Sequence, residues 1–160
     1  MGPAVTLTDL TWFATASYAL HILEEYQFNW RDWARNALKL PVEWSDFYVV
    51  NALVIVLGIV AANLAATQPG WALAFPAVML INATFFHVLP FIRMRGRFSP
   101  GLITAVLLFY PVGIWCYDRA AHDGVGAGAM IGALAVGAVL MACPIVLLLV
   151  KDRPYFRQNP

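Results

Sequence analysis

Three side chains in the segment HILEE, residues 21–25, are of the types that bind metal ions or transfer protons. On an α-helix, His21 and Glu25 lie about 40° apart and His21 and Glu24 about 60° apart, so all three share one face. A histidine and a carboxylate one turn apart can direct their ligand atoms at a common point. The spacing therefore favours a chelating pair with a second acid beside it.

The first hypothesis that follows is a metal-dependent enzyme. The spacing is similar to the inverted zinc motif H-x-x-E-H, with Glu25 in place of the second histidine. In that scheme His21 and Glu25 bind the metal, Glu24 is the catalytic general base, and His87 supplies a third ligand. Asn82 would be a further ligand or an orienting group. Two histidines and two carboxylates suit one divalent metal, zinc or iron.

Two other classes of function remain open. One is metal-free acid–base catalysis on a lipophilic substrate, as in an isomerase or cyclase of isoprenoid or sterol type. Glu24 or Glu25 would then donate a proton that His21 or His87 relays. The other is a non-enzymatic role as a small transporter or scaffold. A dinuclear iron site usually has about four carboxylates, and Asp46 could enlarge the set.

The same residues also have purely structural interpretations. Glu24 and Glu25 could be solvated at a membrane interface, or paired with Arg31, Arg93 or Arg95. A histidine inside a helix bundle, such as His87, is often hydrogen-bonded and nothing more.

The elements that carry these residues are apolar enough to cross a membrane. The chain has 160 residues, of which 61% are hydrophobic and 12% charged, whereas soluble domains have about 45–50% and about 25%. We therefore predict one integral membrane domain, residues 1–160, with the lipid bilayer as its solvent, and the net charge of +1 gives no indication of nucleic acid. A span needs about 20 apolar residues. The prediction is an all-α bundle of five transmembrane helices, at about 7–28, 46–67, 71–92, 99–117 and 126–150.

Shorter patterns complete this scheme. Residues 29–45 mix Trp with Arg and Lys, which predicts a short interfacial helix that stops near Pro41. The small-xxx-small pattern GAMIG, 128–132, predicts close packing of two helices. Cys116 and Cys143 lie in apolar runs without metal-type spacing and are interpreted as helical hydrophobes.

The distribution of positive charge predicts the orientation in the membrane. Five spans place nine of the ten basic residues on one side and Arg119 on the other, in a loop that also holds His122. Positive residues stay in the cytoplasm, so the N-terminus is predicted outside and the C-terminus inside. The nine are Arg31, Arg35, Lys39, Arg93, Arg95, Arg97, Lys151, Arg153 and Arg157.

The predicted orientation of each span gives the depth of its polar residues in the membrane. Residues of four spans fall at one level in the cytoplasmic half, and intramembrane ionisable residues indicate a functional site. They are His21 with Tyr18 a turn above it, Asn51, Asn82, His87 and Thr104. Asn82 and His87 are about 140° apart on a regular helix, so a kink or π-bulge is needed to turn both inward. Pro90 permits one, because it leaves the carbonyl of Phe86 without its helical donor.

Three short motifs make the chain resemble the HXXEE family of small bacterial membrane proteins. They are HILEE at 21–25, NATFFH at 82–87 and FSPG at 98–101, in which Phe98 stands where the family pattern has Tyr. The resemblance implies a catalytic protein of the bacterial cytoplasmic membrane. Ser99 and Gly101, at a helix start, could offer backbone N–H groups to an anion. The sequence thus predicts a membrane-embedded metal-dependent enzyme, of hydrolase or oxidoreductase type, that acts on a lipophilic or membrane-accessible substrate.

Overall fold

The computed structural model describes residues 4–151, 153 and 155, and this part of the chain is helical with no strand. Two of the long helices contain a π-helical turn and continue through it, so each forms a single element. The six elements are α1 (Leu7–Gln27), α2 (Trp30–Trp33, continued by a π-turn at Ala34–Leu38), α3 (Trp44–Leu64), α4 (Pro69–Arg93), α5 (Leu102–His122) and α6 (Ala127–Val150).

Helix α1 begins at a capping box and turns its polar face inward. The Thr6 hydroxyl accepts the Asp9 N–H at 3.1 Å, and the Asp9 carboxylate accepts the Thr6 N–H at 3.0 Å. These bonds satisfy amides that a helix start leaves free. The buried face runs through Leu10, Ala14 and Tyr18 to His21 and Glu25. Leu20 and Leu23 lie on the outer side of the helix.

Four of the helices, α3 to α6, are long and apolar enough to cross a membrane. Their outer faces expose large aliphatic side chains such as Leu53, Leu107 and Val139, which favours lipid as their surroundings. The chain is therefore assigned to the integral membrane proteins. Helix α1 has 21 residues but is less apolar, because its acids and His21 lie among its hydrophobic residues.

The connection between α1 and α3 contains the short helix expected between residues 29 and 45. It ends at Lys39, where φ is 58°, two residues before Pro41. Arg31 and Arg35 both donate to the carboxylate of Glu43. The hydrogen bond from Arg35, with further support from Arg31, holds the pKa of Glu43 below its usual range.

Helix boundaries differ from the prediction at α4 and α5. Helix α4 begins at Pro69 instead of residue 71, and α5 begins at Leu102 instead of residue 99. Gly101 has φ of 93°, so the turn Ser99–Gly101 precedes the helix and cannot form its first residues. Helix α5 also continues to His122 instead of ending at residue 117, which shortens the predicted loop. His122, which was predicted in that loop, is the last residue of the helix, and its side chain is exposed.

Close packing of α6 occurs at a different glycine from the one predicted. A Cβ on Gly137 would lie 2.5 Å from the Cβ of Ala77 and 3.1 Å from the backbone nitrogen of Val78, so α4 and α6 nearly touch there. Gly128 and Gly132, in the GAMIG pattern, have nothing within 4 Å of such a Cβ. The two glycines of GAMIG therefore pack against no helix of the described chain, whereas Ala129 between them lies close to α4, 3.3 Å from where a Cβ on Gly70 would be.

The ends of the helices meet as an alternating bundle requires. Lys151, after α6, donates to Asp46 at the start of α3 at 2.7 Å. Glu24, near the end of α1, contacts the start of α5. Arg157, one of the nine basic residues used to predict orientation, and the C-terminus lie outside the described residues.

Candidate metal centre

His21, Glu25 and His87 form one buried cluster where α1 and α4 meet. The Oε1 atom of Glu25 lies 3.6 Å from Nε2 of His21 and 3.5 Å from Nε2 of His87. Both imidazoles are fully buried, and Glu25 is 4% exposed. One potential ligand atom from each residue lies within 4.8 Å of the other two. The structure thus brings together the three residues that were predicted as metal ligands.

The π-turn in α4 explains how Asn82 and His87 both turn inward. The Leu89 N–H donates to the carbonyl of Thr84, five residues back, within the π-helical stretch Ala83–Val88. Bonds between residues i and i+5 widen the turn, which brings residues five apart towards the same face. Asn82 and His87 are both buried. A π-bulge, one of the two departures from a regular helix that would turn both residues inward, is therefore present.

A hydroxyl group holds the Nδ1 atom of each imidazole. Nδ1 of His21 lies 2.8 Å from Oγ1 of Thr104, and Nδ1 of His87 lies 3.2 Å from Oγ of Ser99. Histidines that bind metals commonly use one ring nitrogen for the metal and the other for such a partner. Ser99 was predicted to offer a backbone N–H group and Thr104 was predicted only at the depth of the site, so the contacts of their hydroxyl groups with the histidines were not predicted.

Three unpartnered polar atoms lie in this region. Five buried side-chain nitrogen or oxygen atoms in the described part of the chain lack a hydrogen-bond partner, and three of them are Nε2 of His21, Nε2 of His87 and Oδ1 of Asn82. Asn82 lies beside His21. Buried polar atoms without partners are costly and rare. Their concentration next to Glu25 is what a cation-binding site would show.

Gly101 allows the turn before α5 to lie directly on both histidines. A Cβ at this position would lie 2.7 Å from Cε1 of His21 and 2.5 Å from Cε1 of His87. Its φ of 93° is also one that only glycine adopts readily. The backbone at Gly101 therefore lies against both imidazoles, and its N–H, which was predicted to bind an anion, binds one from the same chain.

That anion is Glu24. Its Oε1 accepts the N–H groups of Gly101 and Ile103, each at 3.1 Å, and its Oε2 accepts the Thr104 N–H at 2.8 Å and the Thr104 hydroxyl at 2.6 Å. A carboxylate at a helix N-terminus is stabilised by unpaired amides and by the helix dipole. Glu24 therefore joins α1 to α5, and its contact with His21 runs through Thr104. The catalytic role of Glu24 stays a prediction.

Aromatic rings form one wall of the cluster. The ring centroids of His21 and Phe109 are 4.2 Å apart, and those of Tyr18 and Phe109 are 4.9 Å apart. Phe109 ends the π-turn of α5, and Phe75 lies behind Tyr18. Tyr18 was predicted near the site, whereas no polar or spacing signal marked Phe109.

Several predicted partners lie elsewhere. Asp46 binds Lys151 and caps α3, so it does not enlarge the ligand set. Asn51 is partly buried on α3 and takes no part in the hydrogen bonds of the cluster. Arg31 pairs with Asp32 and Glu43 instead of Glu24 or Glu25.

Comparison with known proteins assigns the chain to a family. A search of curated proteins and a search of solved structures found no significant match. A family model described as "Protein of unknown function with HXXEE motif" matches residues 12–116. This range includes HILEE, NATFFH and FSPG, and therefore every residue of the cluster described above. The chain thus belongs to the HXXEE family.

Proposed function

We propose that this protein is a membrane-embedded metal-dependent enzyme, of hydrolase or oxidoreductase type, whose metal ligands are His21, Glu25 and His87. The observation that carries the proposal is the arrangement of unpartnered donors. Two imidazole Nε2 atoms without hydrogen-bond partners lie 3.6 and 3.5 Å from one carboxylate oxygen, out of contact with solvent. A divalent cation would satisfy all three groups at once.

The donor set fits zinc or iron. Two histidines and one carboxylate form a common catalytic set for zinc and the facial triad of iron(II) oxygenases. Bound there, the metal would supply a Lewis acid and lower the pKa of a coordinated water. Asn82 offers its unpartnered Oδ1 beside His21 as a further ligand or as a group that orients a bound molecule.

The protein's own residues would position the reactants and exclude water. Tyr18, Phe75 and Phe109 close one side of the imidazole cluster with apolar surface. As the catalytic base, Glu24 would exchange protons with the site through Thr104, because its oxygens are already held at the start of α5. Direct contact between Glu24 and a substrate would require these bonds to break.

The proposed topology determines where the substrate enters. In this proposal α1 crosses the bilayer as a fifth span, the N-terminus is outside, and α2 lies at the cytoplasmic interface. The whole chain is one domain in the bacterial cytoplasmic membrane, and the cluster lies in the cytoplasmic half. Since the connections between helices are short, the substrate is proposed to be lipophilic and to arrive from the membrane.

One alternative has support from the same geometry. A carboxylate between two imidazoles is also a set of groups for acid–base chemistry, and the apolar wall would suit an isoprenoid or sterol-like substrate. In that case the protein is a metal-free isomerase or cyclase. A transporter or scaffold role has no comparable observation in its favour, since the donors converge on a point and not along a path.

Metal content separates the two enzyme proposals. The protein would be purified in detergent, stripped with a chelator, reloaded with zinc or iron(II), and assayed for bound metal. We expect about one metal per chain in the wild type and a loss of bound metal in His21→Ala, Glu25→Gln and His87→Ala, because two ligands rarely hold these ions. His122→Ala is the matched control, since His122 is exposed on α5. Equal, near-zero binding in all variants and the wild type would favour the metal-free enzyme.

A further inference from the structure

We infer that Thr104 and Ser99 are positioning residues that fix the proton of each imidazole on Nδ1 and leave both Nε2 lone pairs directed at Glu25. The inference deepens the proposed metal site, and it can be tested in metal-free protein. The question is which ring nitrogen of each histidine carries the proton. The answer depends on which acceptor receives the proton of the neighbouring hydroxyl group.

At His21 the proton position depends on Thr104. The hydroxyl has one proton, and two oxygen acceptors compete for it: Oε2 of Glu24 at 2.6 Å and the Gly101 carbonyl at 3.2 Å. With either acceptor, no proton remains for Nδ1 of His21, 2.8 Å away. The contact is a hydrogen bond only if Nδ1–H is the donor and the hydroxyl oxygen accepts. Nε2 of His21 is then a bare acceptor.

At His87 the proton position depends on Pro90. The carbonyl of Phe86 lies in the π-helical stretch, and Pro90, four residues further on, has no N–H to donate to it. The Ser99 hydroxyl takes the place of that donor and bonds to the Phe86 oxygen at 3.2 Å. Its oxygen therefore accepts from Nδ1–H of His87, also at 3.2 Å. In both histidines the proton is therefore held on Nδ1. The acceptor that fixes it is Glu24 at Thr104 and the Phe86 carbonyl at Ser99.

This arrangement favours a metal site over a purely structural cluster. If Nε2–H were present, each histidine could donate to Oε1 of Glu25, at 3.6 and 3.5 Å, and the cluster would satisfy itself. The two hydroxyl groups prevent this by holding the protons on the far side of the rings. With Glu25 ionised, three acceptors face one another, and either a metal cation or a proton on Glu25 has to satisfy them.

The direct test is ¹⁵N NMR of metal-free protein labelled at histidine, in detergent at a pH where the imidazoles are neutral. We expect protonated Nδ1 and bare Nε2 for His21 and His87, with the exposed His122 as a reference. Thr104→Val removes the hydroxyl at nearly constant shape and should move only the His21 proton to Nε2. Ser99→Ala should do the same only for His87, so each variant controls the other. Thr104→Ser keeps a hydroxyl and should restore the wild-type signal.

Zinc titration of the same variants gives the functional consequence. Loss of such a hydrogen-bond partner typically weakens metal binding about 10–100-fold, so Thr104→Val and Ser99→Ala should do so and Thr104→Ser should not. Protons on Nε2 in the wild type, or unchanged signals in both hydroxyl deletions, would overturn the inference. If the wild type has the expected protons but binds no zinc or iron, the proposed function fails while the inference stands.

Discussion

At the level of single residues, the cluster of His21, Glu25 and His87 was predictable, including the choice of Glu25 over Glu24, but the contacts that hold Glu24 were not. Buried histidine and carboxylate at i and i+4, and a second histidine at the same depth, pointed to His21, Glu25 and His87, which the structure brings together. Glu24 and Glu25 lie at similar angles from His21, and the spacing of i and i+4 favoured Glu25 as the ligand. The turn before α5 decides between them, because it supplies the amides that bind Glu24.

The contact between Gly101 and the histidines gives a prediction with a matched control. Gly101→Ala should abolish or strongly weaken metal binding, because its Cβ would lie within 2.7 Å of both imidazole Cε1 atoms and the rings must move. Gly124→Ala is the control, since Gly124 has a similar φ of 86° but nothing within 4 Å of its Cβ. Both variants carry the same backbone cost, about 1–2 kcal/mol.

Zinc titration and thermal unfolding of the two glycine variants separate backbone strain from contact with the imidazoles. Both should unfold at lower temperature than the wild type, and only Gly101→Ala should lose zinc affinity. Equal zinc binding by the two variants would show that the turn before α5 does not position the histidines.

At the level of elements, the sequence predicted one of the two π-turns next to the cluster. The angle between Asn82 and His87 required a kink or π-bulge in α4 only if both residues face the site, Pro90 permitted one, and a π-turn lies there. The π-turn Ala105–Phe109 in α5 was not predicted, although Pro111 follows it closely. Its apolar residues give no hint of which side must face the cluster. Phe109 was missed for that reason.

The contact between α4 and α6 gives a second prediction with a control on the same helix. Gly137→Leu should destabilise the protein, because a side chain there meets Ala77 and the backbone near Val78. Gly132→Leu should have little effect within a single chain, since Gly132 faces open space. Overpacking typically costs about 1–3 kcal/mol, which lowers the Tm by about 2–4 °C per kcal/mol in a chain of this size.

Thermal unfolding in one detergent tests this pair of leucine variants. A lower Tm for Gly137→Leu alone supports close packing of α4 against α6. A larger loss for Gly132→Leu would mean that the exposed face of α6 is buried against another protein chain.

At the level of the whole molecule, composition was enough to predict an all-helical membrane protein, and the basic residues gave an orientation that remains a prediction. In the structure, the end of α6 meets the start of α3 through Lys151 and Asp46. The end of α1 meets the start of α5 through Glu24 and Thr104. The sequence could not establish whether α1 crosses the bilayer, because its polar residues make it less apolar than the other long helices. The partners that satisfy those residues inside the bundle lie on other helices and are known only from the structure.

Cysteine labelling in intact bacterial cells tests the five-span topology. Single cysteines would replace Val5, Gln68 or Arg97 in a chain with Cys116→Ala and Cys143→Ala, since these three positions are exposed. An impermeant thiol reagent should label Gln68→Cys in intact cells and Arg97→Cys only after permeabilisation. Val5→Cys should be labelled like Gln68→Cys if α1 spans the membrane. Labelling of Val5→Cys only together with Arg97→Cys would leave four spans.

The metal ligands are tested most directly by X-ray absorption spectroscopy of the zinc-loaded protein, beside the His87→Ala variant. We predict two imidazole nitrogens at about 2.0–2.1 Å and carboxylate oxygen at about 2.0–2.2 Å, without sulfur. The His87→Ala variant, loaded at high zinc concentration, should show one imidazole fewer. Bound zinc with no imidazole in its coordination shell, or with the same imidazole count in both proteins, would contradict the assignment of His21, Glu25 and His87.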